Sequence, residues 1–266
     1  MSYKSNSYSG WYPMLSEKSQ PSPVFQGDFE PTNIMATKSK SKPNRELSSL
    51  TKGYLISYNI AQVFGWSYLL YLIFRYYTIS SKEVPLWDVV KPIVVIFQNA
   101  AVLEILHAAT NIVPSNVVIT VFQVFSRVML VCGVLLPTPT GPLSPGLPLA
   151  LLAWSCAEII RYLYYALNLL GAVPYFLIWC RYTFFIALYP IGVTGELLCF
   201  YAAQAYVANK KMWSLEMPNK LNFTFSYHYF LLFLMFLYIP LFPQMYLHMF
   251  AQRRKIISGS SSKKVK

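Results

Sequence analysis

The chain has 266 residues, of which 55% are hydrophobic, 17% aromatic and only 12% charged, whereas a soluble domain carries about 25% charged residues. The formal net charge is +12, but seven of the 22 Lys and Arg lie in residues 1–52 and six in 253–266. The apolar middle therefore has no basic face to track phosphates, which excludes nucleic-acid binding and points to a lipid bilayer.

Residues 1–46 hold Pro, Ser, Lys and Tyr without an apolar run, so a signal peptide is not expected there. Residue 2 is Ser2, where a myristoylation start needs Gly. Composition predicts a disordered tail over 1–50.

Apolar stretches follow at 54–74, 89–109, 117–136, 147–168, 176–206 and 223–250, each near or above the roughly 20 residues of a spanning helix. The expected fold is an all-α polytopic membrane protein with a six-helix membrane domain over 51–252 and a basic tail over 253–266. Ser80-Ser81-Lys82-Glu83, Asn111 to Asn116, Pro137-Thr138-Pro139-Thr140-Gly141-Pro142, Asn168 to Pro174 and Asn209 to Lys220 separate the spans with turn chemistry. With six spans, the tails and even loops carry 13 Lys and Arg against six on the other side, which predicts cytosolic N- and C-termini. The second span carries Gln98, Asn99 and Glu104; a re-entrant segment there would put the termini on opposite sides.

Glu104, Arg127, Glu158, Arg161, Arg181 and Glu196 fall in or at the ends of these spans. A charge at the bilayer centre costs about 2.5–3.5 kcal/mol, so each is expected to pair, line a cavity or sit near a helix end. Glu158 and Arg161, three apart, are neighbours on one helix. Arg127 is expected to neutralise Glu104 across two helices, and Arg181 to snorkel at the end of its span. Cys132, Cys156, Cys180 and Cys199 form no metal or disulfide pattern, and His107, His228 and His248 lack metal-ligand spacing. Nothing in the sequence calls for a cofactor.

Tyr189 and Glu196 are two helical turns apart and share a face. Pro190 between them predicts a locally opened helix, and Gly192 and Gly195 permit close approach of backbone or substrate. These features alone suit a kinked packing helix as well as a catalytic one.

Trp154-Ser155, Glu158-Ile159-Ile160-Arg161-Tyr162, Tyr164-Tyr165-Ala166-Leu167 and Arg181-Tyr182-Thr183-Phe184-Phe185, leading into Tyr189-Pro190-Ile191-Gly192 and Glu196, resemble the very-long-chain 3-hydroxyacyl-CoA dehydratase family over roughly residues 50–250. That family was first called protein tyrosine phosphatase-like A. Thr194 stands where the family pattern has Ser. The resemblance implies dehydration of a very-long-chain 3-hydroxyacyl-CoA to a trans-2-enoyl-CoA, the third step of fatty acid elongation. It implies Tyr189 and Glu196 as the catalytic pair, and the elongase and reductases of the same cycle as partners. One group takes the proton next to the thioester while the other protonates the departing hydroxyl; either assignment of the two roles is open, the reverse one needing a tyrosinate beside Arg161 or Arg181. The older name suggests a phosphatase, but in His107-Ala108-Ala109-Thr110-Asn111-Ile112-Val113-Pro114 the nucleophilic Cys is replaced by Ala108 and the phosphate-clamping Arg by Pro114. A non-catalytic adaptor of the same fold, which has no need of the pair, and a proton-linked transporter using Glu104, Arg127, Glu158 and Glu196 are the competing readings. Lys263-Lys264-Val265-Lys266 resembles a dilysine retrieval signal and implies the endoplasmic reticulum membrane.

Overall fold

The computed structural model describes residues 48–262 apart from 80–82, 114, 116, 219 and 221. The N-terminal tail up to residue 47, Ser80-Ser81-Lys82, Pro114, Asn116 and Lys263-Lys264 lie outside the described residues. The described chain is helical, in the order α1 (Ser49–Thr78), α2 (Leu86–Ala100), α3 (Val102–Ala109), α4 (Val117–Leu130), a π-helical segment (Val131–Leu135), α5 (Gly146–Leu170), α6 (Tyr175–Arg181), α7 (Phe185–Lys210) and α8 (Tyr227–Ser262). Its one bridge of β type, among the described residues, joins Leu215 to Phe225 in the loop before α8.

Four helical stretches are long and apolar enough to cross a membrane: Leu86–Ala109, Gly146–Leu170, Tyr175–Lys210 and Tyr227–Arg254. The apolar run Thr120–Leu135 is shorter. α1 spans 30 residues, a length sufficient to cross, and buries two polar side chains, Asn59 and Gln62, beside the apolar Leu55, Trp66, Leu69, Leu72 and Ile73. Large apolar side chains such as Phe64, Phe74, Phe236 and Leu247 point outward, each more than 60% exposed, which suits a lipid-facing surface rather than an aqueous one.

Two spans read as continuous are divided. The second is α2 and α3, separated at Ala101. The fifth is α6 and α7, separated at Tyr182–Phe184, where the N–H groups of both Thr183 and Phe184 bond to the Cys180 carbonyl. The opened backbone expected at Pro190 therefore lies about two turns earlier, and α7 runs through Pro190. One missing donor does not unwind the helix here, because the carbonyl it strands, that of Ile186, accepts from Tyr246 Oη at 3.0 Å. At its other end the apolar run of α8 continues as helix through Arg253 and Arg254 to Ser262, where a basic tail was expected.

α5 is the central element, packed on α1 on one side and α7 on the other. Between lipid-like surroundings and an apolar interior there is little transfer energy to gain, so helices associate through close van der Waals packing, helped by small residues. Gly146 and Ala150 of α5 meet Gly195 of α7 with backbones touching: a Cβ on Gly195 would lie 2.5 Å from Ala150 N and 2.7 Å from Gly146 O. Trp66, Leu69, Leu130, Leu151, Phe200 and Leu231 fill the core around this contact. α5 ends where Gly171 adopts φ 74° and its N–H returns to the Asn168 carbonyl, a left-handed position that favours glycine.

Candidate active site

Tyr189 and Glu196 project from the first three turns of α7, on the same side. Glu196 is 7% exposed. Its two oxygens are held by different helices: Trp154 Nε1 of α5 donates to Oε1 at 2.8 Å, and Tyr238 Oη of α8 donates to Oε2 at 2.7 Å. The first bond follows from the glycine contact, since Trp154 stands one turn beyond Ala150 and Glu196 next to Gly195. A carboxylate in an apolar interior needs such donors for both oxygens.

Tyr189 is set by stacking. Its ring lies nearly parallel to Phe242 at 5.1 Å and to Tyr246 at 6.0 Å, with interplanar angles of 7° and 8°. Its hydroxyl makes no hydrogen bond among the described residues and remains available to a ligand. Tyr238, Phe242, Tyr246 and Phe250 recur every four residues on α8, one aromatic stripe facing α7. Beside it, Pro190, Val193, Thr194, Leu197, Tyr238 and Ile239 line an apolar groove of about 290 Å³. A larger groove of about 690 Å³ lies elsewhere, between α1 and α5, and has no charged side chain in its wall.

Glu104, Arg127, Glu158 and Arg161 form a second cluster around one face of α5. Glu158, one turn after Trp154, is 2% exposed. It is paired with Arg127 of α4 and accepts from Arg161 Nε at 2.7 Å. Arg161 also binds Glu104 of α3 through two N–H groups, at 2.7 and 3.0 Å, and Tyr162 Oη donates to the same carboxylate. The expected Arg127–Glu104 pair is thus replaced: Arg127 reaches Glu158, and Arg161 takes Glu104. Arg161 can do so because its planar fork serves two carboxylates at once, Nε and Nη2 facing Glu158 and Nη1 and Nη2 facing Glu104. Trp154 joins the two clusters, its N–H on Glu196 and the Arg127 guanidinium 5.5 Å from its ring centre. Arg161 and Arg181, the two expected beside a Tyr189 phenolate, are engaged elsewhere.

Arg181 ends α6 against aromatic rings, 4.5 Å from the Tyr164 centroid and 4.9 Å from that of Tyr165, and donates to Tyr165 Oη at 3.3 Å. It is not in the Glu196 site. His107 Nε2 and Tyr54 Oη are hydrogen-bonded at 3.0 Å, the His107 ring packs edge-on against Tyr54 and Tyr58, and Ala108 beside it is buried. Sequence reasoning missed Tyr238, Phe242 and Tyr246. The four-residue aromatic period on α8 was the available signal.

The family model "Protein tyrosine phosphatase-like protein, PTPLA" matches residues 98–259. The chain is 44% identical over 211 residues to "Very-long-chain (3R)-3-hydroxyacyl-CoA dehydratase 2" of Mus musculus, covering 79% of this chain and 83% of that one. It is 45% identical over 212 residues to "Very-long-chain (3R)-3-hydroxyacyl-CoA dehydratase hpo-8" of Caenorhabditis elegans, covering 79% and 97%. It is 35% identical over 215 residues to "Very-long-chain (3R)-3-hydroxyacyl-CoA dehydratase PASTICCINO 2" of Arabidopsis thaliana, covering 80% and 97%. Among solved structures nothing matches. With a family match across more than half its length and relatives of this identity, the chain belongs to the PTPLA family of very-long-chain (3R)-3-hydroxyacyl-CoA dehydratases.

Proposed function

We propose that this enzyme removes water from a very-long-chain 3-hydroxyacyl-CoA, with Glu196 as base and Tyr189 as acid. The observation that carries the division of roles is the hydrogen bonding. Both Glu196 oxygens accept from neighbouring side chains, while the Tyr189 hydroxyl is left free to donate. Glu196 takes the proton from C2, and the electrons of that bond form the C2=C3 double bond. The C3–O bond breaks, and its oxygen takes the Tyr189 proton and leaves as water. The proton held by Glu196 then returns to the phenolate, so both groups are restored without an outside reagent. The apolar groove beside Tyr238 suits the acyl chain next to the reacting carbons.

The test is dehydration of a long-chain 3-hydroxyacyl-CoA by purified protein. Tyr189→Phe and Glu196→Gln are each expected to lower kcat by at least about 100-fold, the scale of lost acid–base catalysis, with unfolding temperatures near that of the parent. Full activity in both variants refutes the site.

The finer topology rests on the same reading. α1 and the segment 117–135 complete a six-span bundle with both termini and the CoA mouth in the cytosol, as the charge distribution favours. Lys263 and Lys264 then act as a retrieval signal for the endoplasmic reticulum, where elongase and reductases act in sequence with this enzyme. Replacing both by Ser should move a tagged protein beyond that membrane, and unchanged distribution by microscopy would count against the signal.

A further inference from the structure

We infer that α8, which carries neither member of the pair, is the element that positions both, through the hydroxyls of Tyr238 and Tyr246. This rests on the assignment of Tyr189 and Glu196 above.

Pro190 follows Tyr189 directly and has no N–H. In the regular i to i−4 pattern that N–H would bond to the carbonyl of Ile186. A stranded carbonyl in an apolar interior is costly and demands another donor. Tyr246 Oη supplies it at 3.0 Å. The same ring stacks on Tyr189, nearly parallel at 8°, and on Phe242 at 13°. The proline gap thus becomes a docking point that ties α8 to the turn of α7 bearing the phenol. Two turns earlier on α8, Tyr238 Oη donates to Glu196 Oε2 at 2.7 Å. Tyr238 and Tyr246 are eight apart and Tyr189 and Glu196 seven, so two antiparallel helices can match both contacts at once. α8 sets the separation of base and acid the way a template sets two pegs. Both tyrosines are positioning residues, since neither hydroxyl is the one left open to substrate.

The test uses full-length protein in detergent micelles with a long-chain 3-hydroxyacyl-CoA. Tyr246→Phe keeps the ring and loses the donor to Ile186. It should lower kcat about 10-fold, the scale of one well-placed hydrogen bond. In a Pro190→Ala background the restored N–H of residue 190 reaches the Ile186 carbonyl, so the same Tyr246→Phe change should cost less than 2-fold. A ring that merely filled space would cost the same in both backgrounds. Tyr238→Phe should lower kcat about 10-fold or more, with KM within 2-fold, and displace the acid limb of kcat against pH from that of the parent. Partial unfolding lowers kcat but leaves that limb in place. Equal cost of Tyr246→Phe in both backgrounds, or Tyr238→Phe with unchanged kcat and pH profile, overturns the inference while leaving Tyr189 and Glu196 standing. Those two have their own test in Tyr189→Phe and Glu196→Gln.

Discussion

Gly195→Ala is the sharpest probe of how the fold holds Glu196. The added methyl would sit 2.5 Å from Ala150 N, 2.7 Å from Gly146 O and 3.0 Å from Ala150 Cα, all backbone atoms of α5. No rotamer can relieve such a contact. To reach ordinary van der Waals distance near 3.4 Å, α5 and α7 must part by about 0.9 Å. Trp154 stands on the same face of α5, and its 2.8 Å bond to Glu196 would stretch by a similar amount, beyond the range of an N–H···O bond. Overpacking of this kind costs about 1–3 kcal/mol of stability. Loss of a hydrogen bond to a charged group costs about 1.5–3 kcal/mol, which in the transition state is roughly a 10- to 150-fold fall in kcat/KM. Gly192→Ala is the matched control, because its methyl would meet only the Ala153 Cβ at 3.4 Å, an ordinary contact. The assay is dehydration by the two variants side by side, with thermal unfolding in the same micelles. Gly195→Ala with parent-like activity and stability, or Gly192→Ala as damaging as Gly195→Ala, refutes the reasoning.

Trp154→Phe retains an aromatic face toward Arg127 but loses the donor to Glu196; kcat/KM should fall about 10- to 100-fold, measured under the same steady-state conditions. Glu158→Gln leaves Arg127 and Arg161 facing a neutral side chain in place of a carboxylate that is 3% exposed. Breaking a buried pair costs about 3–5 kcal/mol, and the 27% exposure of each arginine places this case at the lower end, about 3 kcal/mol. For a membrane domain of this size the unfolding temperature should drop by about 6–12 °C; a drop under about 2 °C would mean that the cluster is solvated.

The transporter reading drew on Glu104, Arg127, Glu158 and Glu196 as one relay. They fall into two sets. Glu104 and Glu158 are neutralised by Arg161 and Arg127 in one ion cluster, and Glu196 forms no ion pair with it among the described residues, touching it only through the neutral Trp154. The cluster ties α3, α4 and α5 together, and the pair on α7 stands against α5 and α8.

Periodicity carries some of this in the sequence itself. A seven-residue spacing puts Tyr189 and Glu196 on one face of any helix that contains them, because the helical repeat is local. Apolar runs of about 20 residues mark membrane helices for an equally local reason, the absence of water to satisfy backbone groups. Intramembrane charges are legible as a set, since each alone is costly. Their partners are not: Arg127 could reach Glu104 or Glu158, and only the packing of α4 against α5 selects between them.

What the sequence by itself determined, then, is the family, the helical membrane character and the shared face of Tyr189 and Glu196. The last two follow from composition and from spacing along one chain, and the family from the resemblance of its motifs and the similarity to its relatives. Tertiary structure decided which groups hold that pair. Trp154 lies 42 positions before Glu196 and Tyr238 42 after it, and Tyr246 meets Ile186 across 60. No local spacing connects such residues. They meet because Gly146, Ala150 and Gly195 let α5 and α7 touch backbone to backbone, and because the aromatic stripe of α8 lies along the same face. The position of the break in the fifth span was likewise a tertiary outcome: Pro190 reads as the site of disruption, but a hydroxyl from α8 satisfies the carbonyl it strands, and the helix continues through it.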